Sequence, residues 1–138
     1  MPVVSVSLMN LPETEAALGW AGAHCLIADR PEGRAGGMGL GFNGAQLLAL
    51  AIGGCFCNDL RYIAHRRGVG IASLAVKVHL AMEGDPLIAT GAEMTVQCAM
   101  ADGSDPQPLI DEARESSMVG CSLPRGIPVV VSPDSRPD

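Results

Sequence analysis

Gly41-Phe42-Asn43-Gly44-Ala45-Gln46-Leu47-Leu48-Ala49-Leu50-Ala51-Ile52-Gly53-Gly54-Cys55 is the stretch from which the rest of the chain can be read. Asn43 is a favoured helix N-cap and Gly68 a favoured stop, which predicts a helix from Asn43 to Arg67. Its first half is apolar all round, the signature of a buried helix. Gly53 and Gly54 each cost about 1 kcal/mol relative to Ala in a helix interior. The pair therefore predicts a close backbone approach just before Cys55. Arg61, His65, Arg66 and Arg67 fall in the last turns, where cations complement the helix dipole.

Upstream, residues 2–9 alternate Val4, Val6 and Leu8 with Ser5 and Ser7, which predicts a half-buried strand. Residues 19–29, with His24 and Cys25, read as a second strand, and the glycine-rich stretch 30–42 as a mobile loop carrying Arg30 and Arg34. Downstream, 71–82 and 92–100 alternate cleanly around Gly84-Asp85-Pro86, which predicts an antiparallel pair. A second helix is expected from Pro106 to Gly120, capped by Asp105, then a short edge strand from Ile127 to Ser132. The order strand, strand, helix, strand, strand, helix, strand describes an α+β domain with helices on a largely antiparallel sheet.

The chain has 138 residues, 48% of them hydrophobic and 3% aromatic. That fits one domain over residues 1–133, with 134–138 as a disordered tail. A core built of aliphatic side chains favours burying further surface against a partner subunit. The net charge of -6 supplies no basic face for nucleic acid beyond Arg61, Arg66 and Arg67. No basic-then-apolar leader is visible, and the longest apolar run, Ala45 to Cys57, falls short of the roughly 20 residues a bilayer requires. A soluble, cytoplasmic protein without membrane or nucleic-acid partners is expected. Five cysteines, an odd count, argue against a disulfide scaffold, and Cys55-x-Cys57 lacks a second pair to complete a zinc site. No metal or cofactor is expected.

The segment Gly41 to Cys55 resembles, in step and without a gap, the Gly-x-Asn-Pro-Glu-Gln-Leu…Ala/Gly-Cys segment of the OsmC/Ohr family. A weaker match runs from Ala113 to Gly126, and the order of elements agrees over most of the chain. The resemblance implies an OsmC-like fold: a long buried central helix on a largely antiparallel sheet, in an intertwined homodimer. It also implies a peroxidase in which Cys55 attacks a hydroperoxide and becomes a sulfenic acid, a second cysteine closes a disulfide, and a dithiol reductant reopens it.

A free thiol is only a few per cent ionised at neutral pH, so the chemistry requires a nearby cation. The helix dipole fades within the first turn and Cys55 lies three turns in. In the family the cation is an upstream arginine oriented by the glutamate; here that position is Ala45, and the candidate arginines are Arg30, at about the expected distance, and Arg34. The second cysteine is displaced as well. The alignment puts Ser117, or Met118 after a one-residue shift, in its position, and leaves Cys121 as candidate resolving thiol.

Cys57 lies about 200° around the helix from Cys55 and Cys98 on an inward strand face, so both read as packing, while Cys25 is unassigned. His24, His65 and His79 suggest no triad. Asp59, one turn after Cys55, opposes a thiolate there and is expected to pair with an arginine. Three readings follow: a two-cysteine peroxidase using Cys55 and Cys121, a one-cysteine peroxidase or sensor resolved by external thiol, and a degenerate, non-catalytic homodimer binding a small apolar ligand.

Overall fold

The computed structural model describes residues 1–133; the expectation for 134–138 lies outside them. The elements are β1 (Ser7–Asn10), β2 (Ala17–Ala21), β3 (His24–Ala28), α1 (Gly44–Arg67), β4 (Ile71–Glu83), β5 (Ile88–Met100), α2 (Gln107–Ser116) and α3 (Met118–Ser122), followed by a single 3-10 turn at Leu123–Arg125. Two compact units are formed. The first comprises Met1–Leu50 with His79–Glu93, the second Ala51–Val78 with Met94 onward, and α1, β4 and β5 contribute residues to both.

In the first unit, β1, β2 and β3 make an antiparallel meander, with Leu8 opposite Gly19 and Trp20 opposite Cys25. The single strand expected over 19–29 is two strands joined at Gly22-Ala23; a two-residue turn leaves little trace in the apolar pattern on either side. β1 is shorter than expected and exposed throughout. Past β3 the chain loops out and returns beside it, where Ala28 and Phe42 form a parallel bridge. The Phe42 N–H donates to the Ile27 carbonyl at 2.9 Å. Gly41 packs so tightly on that carbonyl that no Cβ fits, which explains one glycine of the deciding stretch.

Asn43 starts α1 as expected and does so reciprocally. Its side-chain oxygen accepts the Gln46 N–H at 2.9 Å, while the Gln46 side-chain oxygen accepts the Asn43 N–H at 3.0 Å. Two orphan donors of the first turn are thereby satisfied.

In the second unit, Phe56, Leu60, Ile63 and Ala64 of α1 pack with Met100 of β5 and Leu109 and Ala113 of α2. Leu60 is 0% exposed. The α1 spacing i, i+4, i+7, i+8 puts these residues on one stripe, so burial is one-sided, and it begins only at Ile52 and Gly53. Leu50 and Tyr62 are exposed. Gly53 is explained by side chains rather than backbone: a Cβ there would meet a Val78 methyl at 3.0 Å, whereas one at Gly54 would meet nothing. At 24 residues, with a mean hydropathy of 1.3 over 18 of them, α1 is long and apolar enough to cross a membrane by length and composition. Its stripe instead fills the unit's own core.

β4 and β5 form the expected hairpin, with Leu74, Val76 and Val78 alternating inward against Met94, Val96 and Cys98. Two expectations are corrected. The second helix stops at Ser116; Ser117 adopts an extended backbone, ψ 122°, before α3 begins. No strand forms over 127–132. Val129, Val130 and Val131 find no sheet edge among the described residues, and Val130 is 90% exposed. A strand without a neighbour to pair with has no ladder to hold it. The sheet expected as one is accordingly a meander and a separate hairpin.

Candidate active site

Cys55 lies in the middle of α1, half-buried, within the second unit. Helical periodicity brings Asp59 onto the same face one turn later. The Cys55 S–H donates to Asp59 Oδ2 at 3.5 Å. The expectation that Asp59 pairs with an arginine is corrected: among the described residues its carboxylate forms no ion pair. A thiolate at Cys55 would make an unfavourable like-charge contact with that carboxylate oxygen.

The second partner of Cys55 is Ser117, whose hydroxyl donates to the sulfur at 3.5 Å. The break between α2 and α3 makes this possible. As N-cap of α3, Ser117 would ordinarily turn its oxygen to the helix amides, but it makes no side-chain cap. At 3% exposure it is directed to Cys55 instead. Of the two residues in register with the second cysteine, Ser117 faces the sulfur and Met118 is exposed.

Cys121 is engaged elsewhere. Its thiol donates to the Glu115 carbonyl at 3.3 Å, and Cys55 and Cys121 are both free thiols. Burial pushes the Cys98 thiol up, partly offset by the Arg61 charge, as suits a packing residue. Cys57 is half-buried and Cys25 exposed.

Arg30 and Arg34 lie in the first unit. Arg30 donates to the Glu15 carbonyl at 2.6 Å and pairs with Asp29 Oδ1 at 3.4 Å, its side chain 41% exposed. Arg34 is exposed, with its backbone in the loop turn. Sequence reasoning missed Asp29. This buried carboxylate accepts the N–H groups of Leu40, Met38 and Arg30 at 3.0, 3.1 and 2.8 Å, and so ties down the loop expected to be mobile. The Leu40 N–H above all, then those of Met38 and Arg30 and the Arg30 charge, hold Asp29 below the usual carboxylate range against the opposing effect of burial. An acid entering a glycine-rich loop was its one available signal. Among the described residues no group of three His, Cys, Asp or Glu could hold a metal ion.

A half-buried thiol between a hydroxyl donor and a carboxylate acceptor is equipped for proton transfer at sulfur, hence for nucleophilic or redox chemistry. The sequence profile of OsmC-like proteins matches residues 36–132, a span that contains Cys55, Asp59 and Ser117. The chain belongs to the OsmC-like protein family. Its fold is that of solved OsmC-like structures. An OsmC-like protein of unknown function from Vibrio cholerae superposes with a TM-score of 0.74 at 12% identity, over 89% of this chain and 94% of that one. An OsmC-like protein from Mycoplasma pneumoniae gives 0.73 at 12%, over 89% and 88%. An organic hydroperoxide resistance protein OsmC from Legionella pneumophila gives 0.60 at 15%, over 88% of each chain. No curated protein matches the chain.

Proposed function

We propose that this OsmC-like protein reduces hydroperoxides through Cys55 as a one-cysteine peroxidase, with a dithiol reductant closing the cycle from outside. The reading is carried by the Ser117 hydroxyl at 3.5 Å from the Cys55 sulfur. Where a second cysteine would close a disulfide, an oxygen donates a hydrogen bond instead. The sulfur electron pair attacks one peroxide oxygen, an S–O bond forms, the O–O bond breaks, and the other oxygen leaves as an alcohol. Cys55 becomes a sulfenic acid that Ser117 cannot trap as a disulfide. One thiol of the reductant then condenses with it, releasing water, and the second displaces Cys55 by thiol–disulfide exchange. Cys121 has no part in this cycle. Arg30 donates to the Glu15 carbonyl and pairs with Asp29 within its own unit, and neither it nor Arg34 is assigned a step.

The same reading takes the protein as a cytoplasmic homodimer. The exposed apolar side chains of Val129, Val130 and Val131, consecutive in the chain, support association, because burying them against a partner removes apolar surface from water. A second reading, a non-catalytic homodimer that binds a small apolar ligand, is favoured by a cleft of ≈ 320 Å³ within the first unit, lined by Val6, Leu8, Trp20, Cys25, Leu26 and Leu47. Rapid mixing of the reduced protein with an organic hydroperoxide separates the two. Oxidation much faster than that of free cysteine, lost in Cys55→Ser, supports the peroxidase; oxidation at the free-thiol rate leaves the binding protein.

A further inference from the structure

We infer that Asp59 is the proton carrier for Cys55: it takes the thiol proton as the sulfur attacks and hands it to the departing alkoxide. This rests on the peroxidase reading above.

The hydrogen bonds around the sulfur have a direction. Ser117 Oγ donates to Cys55 Sγ at 3.5 Å, and Cys55 Sγ donates to Asp59 Oδ2 at 3.5 Å. The thiol proton is therefore already aimed at the carboxylate, and the sulfur already accepts a bond that strengthens as negative charge gathers on it. Among the described residues Asp59 forms no ion pair, so none of them holds a cation on its oxygens. Ionising Cys55 to solvent would set two negative charges side by side. Moving the proton onto Asp59 as the S–O bond forms keeps the pair at a single charge and puts the proton beside the site where the leaving oxygen needs one.

The step balances. Asp59 carboxylate accepts the proton and Cys55 becomes a thiolate. Its electron pair forms the S–O bond, and the O–O electron pair departs with the second oxygen as an alkoxide. Protonated Asp59 returns the proton, an alcohol leaves, and the carboxylate is restored with Cys55 as sulfenic acid. Sulfur is oxidised by two electrons and the peroxide reduced by two. An alkoxide is a poor leaving group, so the delivered proton matters to the rate.

Two reactions of the same thiol separate this role from simple repulsion. Alkylation by iodoacetamide expels iodide, which needs no proton; reduction of cumene hydroperoxide expels an alkoxide, which does. With Asp59→Asn, alkylation of Cys55, followed by mass of its peptide, is expected to rise about tenfold or more as repulsion is removed. Peroxide oxidation is expected to fall about 10²-fold, the usual scale of a lost general acid–base group. Asp59→Glu should recover part of the peroxide rate, and Ser117→Ala should slow both reactions. The alkylation rate also reports whether the site is still folded. Peroxide oxidation rising in step with alkylation in Asp59→Asn would overturn the inference and leave the peroxidase reading intact. Wild-type oxidation no faster than free cysteine would overturn both.

Discussion

Ser117 Oγ lies 3.5 Å from Cys55 Sγ, across a sequence separation of 62 residues, and donates a hydrogen bond to it. The helix break that separates α2 from α3 falls on this residue, so the backbone that ends one helix also directs the hydroxyl at the thiol. Serine keeps the reach of cysteine and removes its ability to form a disulfide. On the proposed peroxidase reading, that one atom leaves the sulfenic acid of Cys55 to an outside thiol.

Ser117→Cys should therefore restore an internal partner. Treatment of the reduced variant with one equivalent of hydroperoxide is expected to join the new thiol to Cys55, seen as a crosslinked peptide pair and a loss of two hydrogens by mass. The wild type should give no such pair, and Cys121→Ser should leave wild-type sulfenic acid formation unchanged, since its thiol is bonded to Glu115.

How much of this was legible in the sequence differs residue by residue. The α1 helix was, because Asn43 and Gln46 form its cap and an apolar run follows without interruption. The β4–β5 hairpin was, because period-two alternation flanks a turn. The Gly22-Ala23 turn was not, since two small residues barely disturb a run of apolar ones. The strand expected over 127–132 had the right composition, but pairing depends on a neighbouring edge that composition cannot supply. At the site, the sequence put Cys55 in the reactive position and Ser117 or Met118 in the second-cysteine register. The bond between Cys55 and Ser117 was not legible, because it depends on where a helix breaks 62 residues away. Asp59 was seen on the right face and assigned the wrong partner.

Leu60→Ala should cost about 2–5 kcal/mol, since Leu60 is fully buried among Phe56, Ile63, Met100 and Leu109 and its removal leaves a cavity. Urea unfolding should show a lower midpoint with an unchanged slope.

Asp29 makes the loop before α1 sensitive to acid. Its folded-state pKa is depressed, so its contribution to stability is fully present above the unfolded carboxylate pKa of about 3.9 and is lost as pH falls through the lower folded value. Asp29→Asn should remove that dependence. Hydrogen exchange of the Met38 and Leu40 amides, which donate to Asp29 in the wild type, should be faster in the variant than in the wild type at neutral pH.

The most direct measurement is rapid mixing of the fully reduced protein with cumene hydroperoxide, trapping the product with a sulfenic-acid-specific reagent and locating it by peptide mass. Oxidation well above the free-thiol rate is predicted, with the sulfenic acid on Cys55, no internal disulfide, and loss of the reaction in Cys55→Ser. Oxidation at the free-thiol rate, or a rate unaffected by Cys55→Ser, would contradict it.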